Sequence, residues 1–524
     1  MLSFDKGGFS SGGRLLAVHK KFTGRYSLFR FNVIEWTQRI FFPKGVLIKM
    51  LSIENENRIK QWIEDHKEEF IADLSKIIAV PSVATPGVAE GEYPFGIESA
   101  NVLAAAKEIA EGYGFAVKNL DNFCLVANIG EGKEKIGLFG HLDVVPCGND
   151  WNYPPYELTV DGDLLIGRGV LDDKGPLWAS IFAVRCLREL GLMPKREIEI
   201  FMGGQEECGM NDLLHYIEVS EKLPDVSFTP DGNYPICHGE KGGLRFYLAI
   251  PCNDEKIVDF AGGTVKNVVA DKAVATLKNV CGKCLAEKLA ANERIAVETE
   301  GEFVKVTATG ASVHASIPEN GINAIGVLAN ALLDAEILDG EAKAAMEFLK
   351  LVNSDYNGAA LGVPFEDEPS GKLTHVGGVI SMDRGILDLS IDIRYPVTGN
   401  GDELLAKIIE TVEPYNVTVH DVADTKPAYS PAESEKVKTC MRVINSVFHK
   451  EHWKPYTMGG GTYAKHLPNA CALGPEDPDY ESPFGLFRGS IHQSDESTPA
   501  KLLFDTMLVY AKLLVELDDI DVNK

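Results

Sequence analysis

Apolar positions divide the chain into elements before any single residue stands out. Ile59, Trp62, Ile63, Phe70, Ile71, Leu74, Ile77 and Ile78 recur at three- and four-residue spacing. That spacing predicts a long amphipathic helix, stopped by Pro81. A second helix is predicted over residues 97–113, ended by the glycines at 112 and 114. Short apolar runs follow up to Gly140. The run at 136–139 predicts a buried strand whose end carries His141 and Asp143. A polar, Pro- and Gly-rich stretch from Trp151 to Gly167 reads as a loop. Beyond it come a helix to about Leu190, a strand at 196–201, a further helix and a strand at 226–229. Strands alternating with helices predict a parallel, helix-covered sheet.

The pattern shifts near Gly239-Glu240-Lys241-Gly242-Gly243. Residues 239–425 read as a second, α+β unit. Its strands are predicted at 244–250, 303–309 and 386–395, and its helices near 324–333 and 402–412. From Glu433 the pattern returns to helix, strand and glycine-rich turn, ending in a helix at 500–517. The simplest organisation is one α/β domain, built from residues 50–238 and 426–524, with residues 239–425 inserted into it. Its sheet is expected to be mixed and mostly parallel.

Residues 1–49 differ in kind. They hold nine Lys/Arg against two Asp/Glu, and no sustained helical period. They read as a disordered appendage, or as an upstream extension with the start at Met50. An organelle-targeting tail is a third reading of the same basic, acid-poor composition. Either way they are placed outside the fold.

At 524 residues the chain is long enough for two or more cores. The formal net charge of −26 argues against nucleic acid or an anionic membrane as the main partner. Ten cysteines lie scattered without disulfide-framework spacing, which fits a reducing, cytoplasmic setting. Cys281 and Cys284 form a lone C-x-x-C and read as structural. No apolar run reaches the length of a membrane-spanning helix. H-E-x-x-H does not occur, which disfavours a zincin, and the G-x-S-x-G at Gly8-Phe9-Ser10-Ser11-Gly12 lies in the basic stretch placed outside the fold, without the strand-to-helix context of a serine hydrolase.

Four turns carry the candidate chemistry: His141/Asp143, Asp172, Glu206/Glu207 and Asp231. An isolated His-x-Asp reads as a structural histidine, and an isolated Glu-Glu as a solvated helix start. Together they read differently. Loops at the carboxyl ends of parallel strands lie side by side, so these residues can converge on one pocket. His492, in Gly489-Ser490-Ile491-His492-Gln493-Ser494-Asp495-Glu496, supplies a second imidazole. Mixed His and carboxylate donors suit Zn²⁺, and Mn²⁺ or Co²⁺ fit the same donors. Two histidines and three carboxylates suffice for two ions sharing a bridging carboxylate. Such a pair needs one more carboxylate to take a proton from water, and Glu206 or Glu207 can supply it.

These segments resemble the M20 metallopeptidase family, and within it the bacterial PepV-type dipeptidases (Xaa-His/β-Ala dipeptidase type). The matching stretches are residues 140–146, 167–176, Glu206-Glu207, Pro230-Asp231 and residues 491–496. The resemblance implies two Zn²⁺ per chain. His141 and Asp231 would hold one ion, Glu207 and His492 the other, and Asp172 would bridge. Asp143 would orient His141, and Glu206 would be the general base. Asp173 would be a structural charge near the helix start. The insert would be a lid. In it His314, in Gly310-Ala311-Ser312-Val313-His314, would stabilise the oxyanion. Asn267 would bind the substrate backbone or the oxyanion, and Arg394 the terminal carboxylate. Gly460 and Thr462, in the Met458-Gly459-Gly460-Gly461-Thr462-Tyr463 turn, would contact substrate. The arginine usual after this loop is Lys465 here.

The implied activity is hydrolysis of dipeptides with a free carboxylate. The alternatives are an N-acyl-amino-acid deacylase of the same fold and a non-catalytic metal- or peptide-binding module. Asp231 leans toward the peptidase side, because deacylase relatives often carry Glu there. The long insert goes with a monomer in PepV-like proteins, with a homodimer as the alternative.

Overall fold

The computed structural model describes residues 51–485 and 487–522. The expectations for residues 1–49 lie outside the described residues. The first helix is Ile53–Ile78. The Ser52 hydroxyl caps it by accepting the Asn55 amide at 3.1 Å, and Glu54 and Glu56 favour its positive end. Its apolar stripe, from Ile59 to Ile78, faces the core. Lys174 reaches across from the helix Lys174–Glu189 and donates to the carbonyls of Ile77 (3.0 Å) and Val80 (2.7 Å). A buried ammonium thereby satisfies carbonyls that the helix end leaves open.

A nine-stranded mixed sheet forms the larger core. Its order is Val117–Leu120, Cys124–Ile129, Glu197–Gly203, Lys135–His141, Val226–Thr229, Ala470–Ala472, Cys237–Glu240 and Ala428–Tyr429, with Tyr456–Met458 also on Cys237–Glu240. The pairings around Lys135–His141 are parallel, as is Val226–Thr229 with Ala470–Ala472. Antiparallel pairings lie toward the flanks. Strands from both sides of the insertion share this sheet, so residues after Glu433 do return to it. The helices Ile53–Ile78, Lys174–Glu189 and Ala500–Glu516 bury their apolar faces in its core.

A second sheet of eight strands is antiparallel throughout and uses chain from Gly242 to Thr425. The strand Ile386–Tyr395 shows why it has two unlike faces. Leu387, Leu389, Ile391 and Ile393 enter its core with the helices Ala324–Asp334 and Gly340–Val352. Asp388, Ser390, Asp392 and Arg394 alternate onto the other face. Cys281 and Cys284 are paired as a disulfide at the head of the helix Gly282–Leu289, a local closure and not part of a framework. The eight other cysteines are free.

Candidate active site

Three parallel strands end side by side, and the chain leaves each of them through a polar turn. His141 closes the central strand and pairs in register with Gly203. Glu206 and Glu207 follow three and four residues beyond Gly203, and Asp231 follows two beyond Thr229. Asp172 precedes the helix Lys174–Glu189. The sheet thus delivers four widely separated segments to its carboxyl edge, where open α/β sheets bind ligands.

The imidazole of His141 is buried. Its Nδ1–H donates to the Asp143 carbonyl at 3.0 Å, with the Asp143 carboxylate 3.4 Å away. That fixes the tautomer and leaves Nε2 as the free donor atom. Nε2 lies 3.1 Å from Asp172 Oδ1 and 4.0 Å from Asp231 Oδ2. The other oxygen of Asp172, Oδ2, lies 3.0 Å from His492 Nε2, which is also 3.2 Å from Glu207 Oε2. One carboxylate therefore stands between two imidazoles, each with a second carboxylate beside it. Donor atoms of His141, Asp172 and Glu207 lie within 4.8 Å of one another, as do those of His141, Glu206 and Asp231.

The electrostatics of the cluster ask for cations. Burial, then the charge of Asp172, pushes the Asp231 carboxyl up to about 8. Burial, then Asp231, holds Glu206 well above the carboxylate range, and burial raises Glu207. Asp172 is also buried, yet hydrogen bonds from His141 and His492 keep it below that range. Asp172 and Glu207 push His492 up to about 10. Glu207 Oε1 is buried with no hydrogen-bond partner. Desolvated carboxylates that outnumber the imidazoles, with an orphaned oxygen among them, fit divalent cations. The mixed N and O donors are those that Zn²⁺, Mn²⁺ and Co²⁺ accept.

Non-ligand carboxylates hold the donors in place. The carboxylate of Asp143 accepts the amides of Glu206 (2.9 Å) and Glu207 (3.2 Å). Asp173 accepts the His141 amide at 3.1 Å and packs directly over Gly140, so a side chain at 140 would collide with it. Glu496 accepts the amides of Gly169 (3.1 Å), Leu171 (2.9 Å) and Asp172 (3.1 Å), and Arg168 Nη1 at 2.6 Å. Composition and spacing gave Glu496 no role, although it stands in the quoted His492 motif.

The eight-stranded sheet brings further groups together. His314 Nδ1 accepts the Ser316 amide at 3.2 Å and the Ser316 hydroxyl at 2.8 Å. Its Nε2 therefore carries the proton. Burial, then Arg394, depresses the His314 pKa and keeps the ring neutral. Asn267 Nδ2 lies 3.5 Å from His314 Nε2, so two N–H donors stand side by side. Arg394 is buried, with its fork on Asp392 and Nη1 donating to the Gly459 carbonyl at 3.1 Å. Gly460 has open space at its Cβ position apart from Met458 Sδ at 3.9 Å.

Thr462 fastens the glycine-rich loop to the neighbouring strand. Its hydroxyl donates to Glu240 at 2.8 Å and accepts the Ala464 amide at 3.1 Å, and its own amide donates to Glu240 at 3.1 Å. The proton and one lone pair of the hydroxyl hold the loop, which leaves one lone pair for a donor from outside.

Comparisons with known proteins point to one family. Residues 137–516 match the model described as Peptidase family M20/M25/M40. A protein of Bacillus subtilis (strain 168) called "Putative dipeptidase YtjP" is 30% identical over 467 residues, covering 86% of this chain and 97% of its own. One of Staphylococcus aureus (strain MRSA252) called "Putative dipeptidase SAR1836" is 29% identical over 474 residues, covering 87% and 99%. The fold is similar to that of human carnosine dipeptidase 1, with a TM-score of 0.51 at 18% identity over 89% of this chain and 100% of that one. It is also similar to the dipeptidase Dug1p of Saccharomyces cerevisiae, with a TM-score of 0.52 at 14% identity over 90% and 100%.

Proposed function

The chain belongs to peptidase family M20/M25/M40, and from that premise we propose that it is a two-metal dipeptidase acting on dipeptides with a free carboxyl terminus. What carries this reading is the Asp172 carboxylate, 3.1 Å from one imidazole and 3.0 Å from the other. His141, Asp172 and Asp231 would hold one ion, and His492, Asp172 and Glu207 the other. Zn²⁺ is the first choice of metal. Bound there, the ions supply polarisation of the peptide carbonyl and acidification of water.

The chain's own groups do the rest. Glu206 takes the proton from water and delivers it to the leaving amine. Its burial among carboxylates suits a group that must hold and release a proton. His314 Nε2–H and Asn267 Nδ2–H donate to the carbonyl oxygen as negative charge develops there. Arg394 and the backbone at Gly460 anchor the carboxyl-terminal half. The second sheet, with its attached helices, would act as the lid that excludes water. Eight free cysteines favour a reducing, cytoplasmic setting, and among the described residues no helix is long and apolar enough to cross a membrane.

The test is an assay of Ala-Ala and β-Ala-His against N-acetyl-alanine, with metal analysis of the same sample. Turnover of free dipeptides by protein holding two ions per chain is expected. Turnover of N-acetyl-alanine without dipeptide cleavage would make the protein a deacylase. Full activity with one ion or none would remove the bridging role of Asp172.

A further inference from the structure

The polar face of the eight-stranded sheet holds more positive charge than one terminal carboxylate would use. Arg394 pairs across the sheet with Gly243, and Asp392 pairs with Arg245. Residues two apart on a strand share a face, so all four positions face the same way. Asp392 is buried between two guanidinium groups. Its Oδ1 accepts Arg394 Nε at 2.5 Å, and its Oδ2 accepts Arg394 Nη2 at 3.2 Å and Arg245 Nε at 2.8 Å. The outer edge of the half-exposed Arg245, Nη1 and Nη2, makes no hydrogen bond among the described residues.

Lys465 comes to the same face from the glycine-rich loop. Its Nζ lies 3.8 Å from where a Cβ on Gly243 would be. Among the described residues this ammonium makes no hydrogen bond or ion pair, although the residue is half-buried. Its neighbour Glu240 is already engaged by the Thr462 amide and hydroxyl, and burial pushes that carboxyl up to about 7. Arg394, Arg245 and Lys465 thus face two carboxyl groups, Asp392, which both arginines share, and Glu240, whose oxygens Thr462 already occupies. Lys266, 5.1 Å from the ring of Tyr247, which stands two residues along from Arg245, adds a fourth cation. His314 senses both arginines, so this face borders the proposed oxyanion site.

When a substrate covers this face, water leaves it. A desolvated cation without a partner is costly. One α-carboxylate on Arg394 would leave the outer edge of Arg245 and the Lys465 ammonium without a hydrogen-bonding anion. We infer that Arg245 and Lys465 form a subsite for a second anionic group, and that the favoured substrates are dipeptides whose carboxyl-terminal residue is aspartate or glutamate. The inference rests on the dipeptidase reading and sharpens it.

The test compares isosteric pairs on the metal-loaded enzyme: Ala-Glu with Ala-Gln, and Ala-Asp with Ala-Asn. The acidic member is expected to have a kcat/KM at least about tenfold higher, the factor that roughly 1.4 kcal/mol of differential binding gives. Arg245→Met and Lys465→Met should each lower that ratio, Lys465→Arg should preserve it, and Arg245→Glu should invert it. Circular dichroism checks that each variant is folded. Equal kcat/KM values for Ala-Glu and Ala-Gln would overturn the subsite and leave the dipeptidase standing. If no dipeptide is cleaved, the dipeptidase reading fails by itself. The subsite is then read from protection against thermal unfolding by free glutamate relative to glutamine. Preference for glutamate supports it, and equal protection overturns it.

Discussion

The replacement Glu496→Gln tests how the bridging aspartate is held. Glu496 is fully buried and accepts four hydrogen bonds, three from the backbone of the Asp172 loop and one from Arg168. Glutamine keeps the shape but has one acceptor oxygen. If that oxygen faces the amides of Gly169, Leu171 and Asp172, the glutamine N–H₂ meets the N–H of Arg168. Arg168 has no other carboxylate partner among the described residues, and its Nε and Nη2 already lack partners. The ring of Trp151, 5.2 Å away, is its remaining support. Removing one partner of a buried pair costs about 3–5 kcal/mol. The opposite orientation gives up the amides instead, at about 1 kcal/mol or more each, and frees the Asp172 loop. Either way the metal site loosens, and metal affinity should fall roughly 10–100-fold, as for other groups that hold metal ligands in place. Metal titration and thermal unfolding of wild type and variant read both effects. Pairing Glu496→Gln with Arg168→Met should recover most of the lost stability, because no buried charge is then left alone. Unchanged metal affinity and unchanged Tm in Glu496→Gln would refute the reasoning.

Other outcomes follow from the same geometry. Glu206→Ala should lower kcat by roughly 10²–10⁴-fold, the range for a lost general base, while metal analysis still finds two ions per chain; loss of an ion would show Glu206 to be a ligand. His314→Ala should lower kcat by roughly 10²–10³-fold with little change in KM, as for a lost oxyanion donor; a change in KM alone would place His314 in ground-state binding. Asp212 gives a pH prediction for stability. Burial, then Asp143, pushes its carboxyl up to about 6 from 3.8. A raised folded pKa means its contribution is fully present below about pH 4 and is lost as pH rises through about 6, worth roughly 3 kcal/mol over that window. Asp212→Asn should flatten that stretch of the stability–pH curve in urea unfolding, and an unchanged slope would contradict the assignment.

The elements were legible because each buries a regular apolar stripe. The strands at 226–229, 303–309 and 386–395 have the bounds their alternation predicts. The helix predicted at 324–333 ends one residue later, at Asp334. The convergence of His141, Asp172, Glu207, Asp231 and His492 was legible because each stands in a turn, most of them following a strand or preceding a helix. Less legible was what each polar side chain spends its hydrogen bonds on. Thr462 sits in a glycine-rich loop, and its hydroxyl proton goes to Glu240, more than 200 residues earlier. Arg245 is one residue in an ordinary alternating strand. It gains meaning when the sheet register sets it against Asp392 and Lys465 approaches Gly243. Such facts are long-range pairings, which local pattern does not carry.

The acidic doublets in the motifs acquire a reason from the same pairings. Three of the five proposed ligands, His141, Asp172 and His492, have an acidic residue close by in sequence that serves a different loop. Asp173, beside the bridging Asp172, holds the amide of His141. Asp143, two residues from His141, holds the amides of Glu206 and Glu207. Glu496, four residues from His492, holds the amide of Asp172. The loops are thus braced crosswise. A carboxylate that accepts backbone N–H groups keeps its position without competing for the metal, and it adds negative potential behind the ligands. Crosswise bracing also makes the loops interdependent, since freeing one holder releases a ligand on another segment. Single losses among Asp143, Asp173 and Glu496 should therefore be strongly non-additive in metal affinity, because residues that share one network do not contribute separately. His141 and Asp143 show the arrangement in its smallest form: the histidine points Nε2 at Asp172, and the aspartate fixes the glutamates that follow the neighbouring strand.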